Sequence, residues 1–158
     1  SDGVNTSSQD ITVTVTDIVE NLAAPVFTSD ASFSAAENQT SIGTVTATDA
    51  DGDNVTFSVS GSELSINSSS GVLTFVSAPD YETKSTYTAT VTESDGVNTT
   101  DQTVTINVTN VNDNTPVLTS SATFSAAENQ TSIGTVTTTD ADGDTVTYSV
   151  SGFALSLN

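Results

Sequence analysis

The sequence repeats itself almost identically at a fixed interval. Residues 33–61 read FSAAENQTSIGTVTATDADGDNVTFSVSG, and residues 124–152, about 91 positions later, read FSAAENQTSIGTVTTTDADGDTVTYSVSG. A second pair of matching segments, residues 1–18 and 94–111, is separated by about 93 positions. Such an interval is typical of an array of structural units, so the fold must be one that recurs along the chain.

The repeat boundaries predict the domain organisation. We expect the C-terminal strand of one unit in residues 1–21, a complete unit in residues 24–112 and the N-terminal half of a third unit in residues 117–158. The sequence starts within a unit, without a methionine or a signal peptide, so we expect it to be a segment of a longer protein.

Within each unit, apolar and polar residues alternate at a period of two. Val104, Ile106 and Val108 are separated by single polar residues, as are Ile11 and Val13. Successive side chains of a strand point to opposite faces, so this pattern predicts strands with one buried and one solvated face. Turn sequences rich in Asp, Gly and Pro separate the runs. We therefore predict an all-β chain of tandem β-sandwiches, each of about seven strands.

The charge balance excludes several classes of function. The chain has 20 acidic residues and one basic residue, Lys84, for a formal net charge of −19. It cannot neutralise phosphates, so nucleic acid and anionic membrane surfaces are excluded as partners. It has no Cys and no His, which excludes disulfides, His/Cys zinc sites and nucleophiles that depend on these residues. No apolar run approaches the roughly 20 residues of a membrane-spanning helix, so we expect no direct membrane insertion.

The acidic residues gather at strand ends and linkers, where they favour a calcium site. Two carboxylates about 4 Å apart repel by roughly 4 kcal/mol at an effective dielectric of 20. Ca²⁺ removes that repulsion, since it takes six to eight oxygen ligands from carboxylates, Asn side chains and backbone carbonyls. The runs 49–53 and 140–144 are not EF-hand loops. Where that loop needs Gly and Glu, the first run has Asn54 and Ser60 and the second has Thr145 and Ser151.

Four motifs resemble the calcium motifs of cadherin repeats and follow the order of that family. They are Glu37-Asn38, Asp49-x-Asp51, Asp80-Tyr81-Glu82 and the linker NVNDNTP at residues 110–116. The threonine-rich, nearly identical units are also similar to the bacterial cadherin-like repeats of large surface adhesins. The resemblance implies Greek-key β-sandwiches joined by calcium-binding linkers, in a protein on the outside of a bacterial cell.

The same resemblance implies which residues bind calcium after the complete unit. A close pair of ions would be held by Glu37, Asp80, Glu82, Asn110, Asp113 and Asp142. A third ion would be held by Asn112, the carbonyl of Asn114, Asp140 and Asp142. Asn110 stands where the family has Asp, which removes one charge from the paired ions.

The junction before the complete unit departs further from the family pattern. Its upstream ligands would be Asp17, Glu20 and Asn21, and its downstream ligands Asp49, Asp51 and Asp95. Val19 replaces a ligand Asn, and Leu22-Ala23 is inserted. We expect fewer ions at this junction, or a bent one.

These features predict a mechanical function without enzymatic activity. We expect a calcium-rigidified extender, or spacer, of a long adhesin, with calcium and the neighbouring repeats as its partners. The incomplete units at the two ends also suggest end-to-end strand complementation with another chain. The alternatives are a homophilic or carbohydrate-binding cadherin-like module, and a glycosidase that uses Asp80 and Glu82.

Overall fold

The computed structural model describes residues 3–16 and 21–152, which form an all-β protein. No helix occurs in these residues, and so none is long and apolar enough to cross a membrane. The strands are β1 (Val26–Phe27), β2 (Ser32–Ala36), β3 (Ser41–Thr44), β4 (Ala47–Thr48), β5 (Thr56–Val59), β6 (Leu64–Ile66), β7 (Val72–Phe75), β8 (Thr86–Ser94), β9 (Thr99–Thr109), β10 (Val117–Leu118) and β11 (Thr138–Thr139).

Seven of these strands form two sheets. One sheet has the order β2-β9-β8-β5, and the other has the order β3-β7-β6. Strand β2 runs parallel to β9, with Phe33 opposite Ile106 and Ala36 opposite Thr109. The other pairs in both sheets are antiparallel. The predicted all-β sandwich is therefore confirmed: its two sheets contain seven strands, and β1 and β4 form a separate two-stranded ladder.

The core lies between the two sheets and follows the alternation in the sequence. Val104, Ile106 and Val108 of β9 are buried, as are Leu73 and Phe75 of β7. The phenyl ring of Phe75 contacts the ring of Tyr87 edge to face, with ring centroids 5.0 Å apart. Burial of these apolar side chains supplies the main driving force for folding the complete unit.

One charged residue interrupts the apolar core. Glu93 of β8 is fully buried, with 0% of its surface exposed, and within residues 3–16 and 21–152 neither of its carboxylate oxygens has a hydrogen-bond partner. It follows Tyr87, Ala89 and Val91 in the alternation, so its side chain points between the sheets. Burial raises its pKa to about 7.

Residues 117–152 reproduce local features of the complete unit. Strand β10 pairs with β11 as β1 pairs with β4, and each two-residue ladder is antiparallel. The hydroxyls of Thr119 and Thr137 are 2.8 Å apart, the same as those of Thr28 and Thr46. The internal sequence repeat is therefore also a repeat of structure at this ladder.

Candidate metal centre

The parallel pairing of β2 with β9 brings Glu37 to the linker. Because β2 and β9 run in the same direction, their C-terminal ends lie at the same edge of the sheet, and Glu37 follows β2 directly. The backbone N–H of Glu37 donates to the carbonyl of Thr109, the last residue of β9 (3.1 Å). The side chain of Glu37 thus lies where the chain leaves the complete unit.

Two backbone N–H groups hold the buried carboxylate of Glu37 in position. Tyr81 donates to Oε2 at 2.8 Å, and Val111 donates to Oε1 at 2.7 Å. These bonds connect Glu37 to the loop before β8 and to the linker. Each carboxylate oxygen keeps a second lone pair that could bind a cation.

Glu37, Glu82, Asp113 and Asp142 bring one carboxylate oxygen each to within 4.8 Å of one another. We call these four residues the junction cluster. They come from the end of β2, the loop before β8, the linker and the loop after β11. Lys84, the one basic side chain of the sequence, instead pairs with Glu63 at 2.5 and 2.7 Å. No basic side chain can therefore neutralise the junction cluster.

Asp142 is the most heavily hydrogen-bonded member of the cluster. Its Oδ2 accepts the backbone N–H groups of Asp113 (3.1 Å) and Asn114 (2.8 Å), and its Oδ1 accepts the side-chain amide of Asn114 (2.9 Å). The pKa of Asp142 is lowered, mainly by the hydrogen bond from the Asn114 side chain. Asp142 therefore keeps its charge and ties the following segment to the linker.

The pKa of Glu82 is shifted in the opposite direction from that of Asp142. Partial loss of contact with water raises its pKa, and the neighbouring carboxyls of Asp142 and Glu37 raise it further. The carboxylates of the junction cluster are therefore crowded, and no basic side chain offsets their mutual repulsion.

Asparagine side chains complete the surroundings of the cluster. Asn38 donates to Asp113 Oδ2 at 2.5 Å, Asn114 donates to Asp113 Oδ1 at 2.8 Å, and Asn110 donates to the backbone carbonyl of Asp142 at 2.9 Å. These bonds orient the linker carboxylate, and the Asn110 side-chain oxygen is left available as a ligand.

Three of the predicted ligands have other surroundings. The Asp80 carboxylate accepts bonds from the backbone N–H (3.1 Å) and hydroxyl (2.9 Å) of Thr83, which lower its pKa. Asn112 is exposed. Asp140 belongs to a second group of carboxylates with Asp142 and Asp144, and the ligand prediction did not include Asp144.

An equivalent group lies at the opposite end of the complete unit. Asp49, Asp51 and Asp53 bring their carboxylates together as Asp140, Asp142 and Asp144 do, and we call these three residues the upstream group. The ligand prediction from the sequence did not include Asp53 and Asp144, because the Asp-x-Asp motif of the family ends at the second Asp. The signal was the third Asp of each DADGD run.

The upstream group contacts the first linker through Asp51. Asp51 Oδ2 accepts the backbone N–H groups of Leu22 (2.8 Å) and Ala23 (2.7 Å). These two residues therefore make the contact that Asp113 and Asn114 make at the other junction, but neither supplies a carboxylate.

The predicted ligands Asn21 and Asp95 lie together in this region. Asn21 donates to the Asp95 carbonyl at 3.5 Å, and Asn98 donates to the Asn21 side-chain oxygen at 3.0 Å. Asn98 also donates to Asp95 Oδ2 at 3.1 Å and was not predicted from the sequence. The other predicted ligands of this junction, Asp17 and Glu20, lie outside the described residues.

The donor atoms fit a hard divalent cation. Asp49 Oδ2 and Asp53 Oδ2 are buried oxygens that have no hydrogen-bond partner among the residues described by the structure. Buried acceptors without donors are costly, and a cation would satisfy them. Because the ligand atoms are all carboxylate, amide or carbonyl oxygens, the set is suited to Ca²⁺ rather than to zinc or copper.

Comparison with known families identifies the chain. Residues 31–109, half of the sequence, match the cadherin domain family, and the chain therefore belongs to the cadherin family. Cadherin domains are extracellular adhesion modules, and this class agrees with the β-sandwich and the acidic groups at its ends.

Solved cadherin structures have the same fold. The chain is similar to EC1-2 of human protocadherin-24, with 26% identity and a TM-score of 0.67 over 77% of this chain and 61% of that one. It is similar to EC22-24 of mouse cadherin-23, with 28% identity and a TM-score of 0.64 over 77% and 44% of the two chains. It is also similar to the human desmocollin-1 ectodomain, with 25% identity and a TM-score of 0.63 over 77% of this chain and 27% of that one. The chain thus spans less than two thirds of each of these structures. No curated protein sequence matched it.

Proposed function

We propose that the chain is a calcium-rigidified extender of a long extracellular adhesin on a bacterial cell surface. The observation that carries this proposal is the junction cluster, whose four carboxylates come from the complete unit, the linker and the following segment. A cation bound there would contact all three parts at once. Its binding energy would therefore depend on their relative positions.

Electrostatics explains why calcium would change the mechanical behaviour of the linker. Without a cation, the like charges of Glu37, Glu82, Asp113 and Asp142 repel, and the repulsion favours separation of the following segment from the complete unit. With Ca²⁺ bound, the same carboxylates attract a shared ion, so the junction becomes rigid. Extracellular calcium modules bind at roughly 10⁻⁴–10⁻³ M, which matches external calcium rather than cytosolic calcium.

The proposed partners follow from this role. They are calcium ions, the neighbouring repeats of the same polypeptide and, through the end segments, a second copy of the chain. We assign the chain to adhesion rather than to an enzymatic reaction, since cadherin domains are adhesion modules.

Thermal unfolding with and without calcium tests the binding step. For a site with a Kd near 1 mM or 0.1 mM, 10 mM Ca²⁺ adds about 1.4 or 2.7 kcal/mol to the free energy of unfolding. We expect Tm to rise by several degrees with Ca²⁺ and by less with Mg²⁺. The Asp113→Asn variant should lose part of this rise. Asp30→Asn, an equal charge change at an exposed residue outside the acidic groups, should keep it.

The rigidity is tested by spin labels attached to two introduced cysteines. The chain has no cysteine of its own, so Thr103→Cys on β9 and Thr131→Cys in the following segment give a specific label pair. We expect a broad distance distribution in chelator and a narrow one in calcium. Equal widths in both conditions would refute the extender mechanism even if calcium still binds.

A further inference from the structure

Lys84, the single basic residue of the chain, lies in the turn that carries Glu82. Residues 80–84, which we call the ligand turn, lie between β7 and β8. The backbone N–H of Lys84 donates to the carbonyl of Asp80 at 2.9 Å and closes the turn. Lys84 thus stands two residues after a member of the junction cluster. On charge alone it should weaken the binding of a cation there, because like charges repel.

Polar contacts, rather than burial, hold the ligand turn in place. All five of its residues are exposed. Just before the turn, the carbonyl of Pro79 accepts the backbone N–H of Asn38 at 3.0 Å. The backbone N–H of Tyr81 then donates to Glu37 Oε2 at 2.8 Å. These two bonds fasten the first half of the turn, so the position of Glu82 also depends on what holds the second half.

The side chain of Lys84 fastens the second half of the turn to the sandwich. Its Nζ atom donates to both carboxylate oxygens of Glu63, at 2.5 and 2.7 Å, and lies 4.2 Å from the centroid of the Tyr87 ring. Glu63 is held beside the end of β7, because its carbonyl accepts the backbone N–H of Val76 at 2.9 Å. The Tyr87 ring contacts the buried ring of Phe75. Both partners of the ammonium group are therefore fixed by the sandwich.

This contact is better suited to fixing a position than to stabilising the fold. The side chains of Lys84 and Glu63 are 42% and 54% exposed, and ion pairs this exposed contribute little to stability. The ammonium group nevertheless has two partners, a carboxylate and the face of an aromatic ring. The long side chain of Lys84 is restricted by both, and so is the turn from which it extends.

Glu82 needs such an anchor because its neighbours repel it. The carboxyls of Glu37 and Asp142 lie beside that of Glu82 in the junction cluster. Without a cation, their repulsion favours outward movement of the exposed ligand turn. A turn that is already in place when the ion arrives costs less to order, and this preorganisation raises affinity.

We propose that Lys84 is a positioning residue for calcium binding, whose contacts with Glu63 and Tyr87 keep the ligand turn in place beside the junction cluster. This role rests on the proposed function, since Glu82 must bind calcium for its position to matter. The resulting effect has the sign opposite to that of simple electrostatics. Lys84 raises calcium affinity through geometry by more than its charge lowers it through repulsion.

Calorimetric calcium titration of the 158-residue chain tests this role. Lys84→Gln should weaken calcium binding roughly tenfold, the lower end of the effect of groups that orient metal ligands. Removal of the charge alone would strengthen binding instead. Lys84→Arg should keep most of the affinity, because a guanidinium can pair with the same carboxylate and stack on the same ring. If Lys84→Gln binds calcium as tightly as the parent chain, or more tightly, the proposal is wrong.

A second background shows whether Lys84 acts through the junction cluster. Asp113→Asn removes a carboxylate from the cluster, so in this background Lys84→Gln should weaken calcium binding much less than it does in the parent chain. Equal losses in the two backgrounds would show an effect outside the cluster and would overturn the proposal. A parent chain that binds no calcium would refute the proposed function together with this role.

Glu63→Gln breaks the same ion pair from the other side. It should weaken calcium binding as Lys84→Gln does, although Glu63 is not a member of the junction cluster. Asp30→Asn makes an equal charge change at another exposed residue and should leave the affinity nearly unchanged. Equal affinities for Glu63→Gln and Asp30→Asn would contradict the role of the ion pair.

Discussion

Asp51 and Asp142 hold the two linkers by the same contact. Each uses its Oδ2 atom to accept two consecutive backbone N–H groups, from Leu22 and Ala23 in the first case and from Asp113 and Asn114 in the second. Because the contact is to the backbone, it does not depend on the side chains of the linker. The two linkers therefore share a geometry but differ in charge.

The first consequence concerns Leu22, which has the position of Asp113. Leu22 is exposed, so Leu22→Asp should be tolerated and should add a carboxylate beside the upstream group. We expect its calcium affinity to rise roughly tenfold, which is about 1.4 kcal/mol. Calorimetric titration measures the change. Leu22→Asn is the control without charge, and the assignment fails if the two variants bind calcium alike.

Glu93 gives the chain a stability that depends on pH. Its pKa is about 7 in the folded chain and near 4.5 when unfolded, so the folded state binds more protons between these values. The free energy of unfolding should therefore fall as pH rises from about 4.5 to about 7. The total decrease caused by Glu93 should be about 3 kcal/mol. Above pH 7 its contribution should be constant.

Urea denaturation in chelator at several pH values checks this expectation. The Glu93→Gln variant has no titrating group at this position, so the difference between its pH profile and that of the parent chain isolates Glu93. Parallel profiles for the two proteins would show that Glu93 does not titrate in this range.

Gly71 has a backbone conformation and a contact that exclude a side chain. Its φ is 69°, and a Cβ atom would collide with the backbone carbonyl of Val45. We expect Gly71→Ala to destabilise the complete unit by more than about 3 kcal/mol, because strain and a backbone clash combine. Gly61→Ala is the matched control. The φ of Gly61 is 84°, but a Cβ atom there would meet open space. The Gly61→Ala substitution should therefore lower the free energy of unfolding by about 1 kcal/mol. Equal Tm values for the two variants would contradict the clash.

Salt should affect the calcium-free and calcium-bound chains differently. The formal charge of −19 makes self-repulsion a substantial cost in chelator, and salt screens it. We therefore expect NaCl to raise Tm without calcium. With calcium bound, salt also screens the attraction to the ion, so the rise should disappear. Scanning calorimetry at about 0.02 and 0.5 M NaCl measures both. A calcium-free chain whose Tm does not respond to salt would refute the electrostatic argument.

The sequence was informative where a residue pattern alone determines position. Alternation predicted the strands. The resemblance to cadherin repeats, not the spacing alone, implied that Glu37, Glu82, Asp113 and Asp142 share one junction, and the structure brings their carboxylates within 4.8 Å of one another. Glu93 was missed because its charge suggests exposure, while strand parity fixes its side chain on the inner face. Leu22 was interpreted as part of an insertion, because residue type conceals the backbone contact with Asp51.

The parallel pairing of β2 with β9 has a mechanical consequence. One strand lies near the start of the complete unit and the other at its end, and they are adjacent with the same direction. Tension applied to the two ends of this unit would slide the strands past each other lengthwise. The hydrogen bonds between them would then be loaded together in shear, rather than opened one after another as in a peeled hairpin.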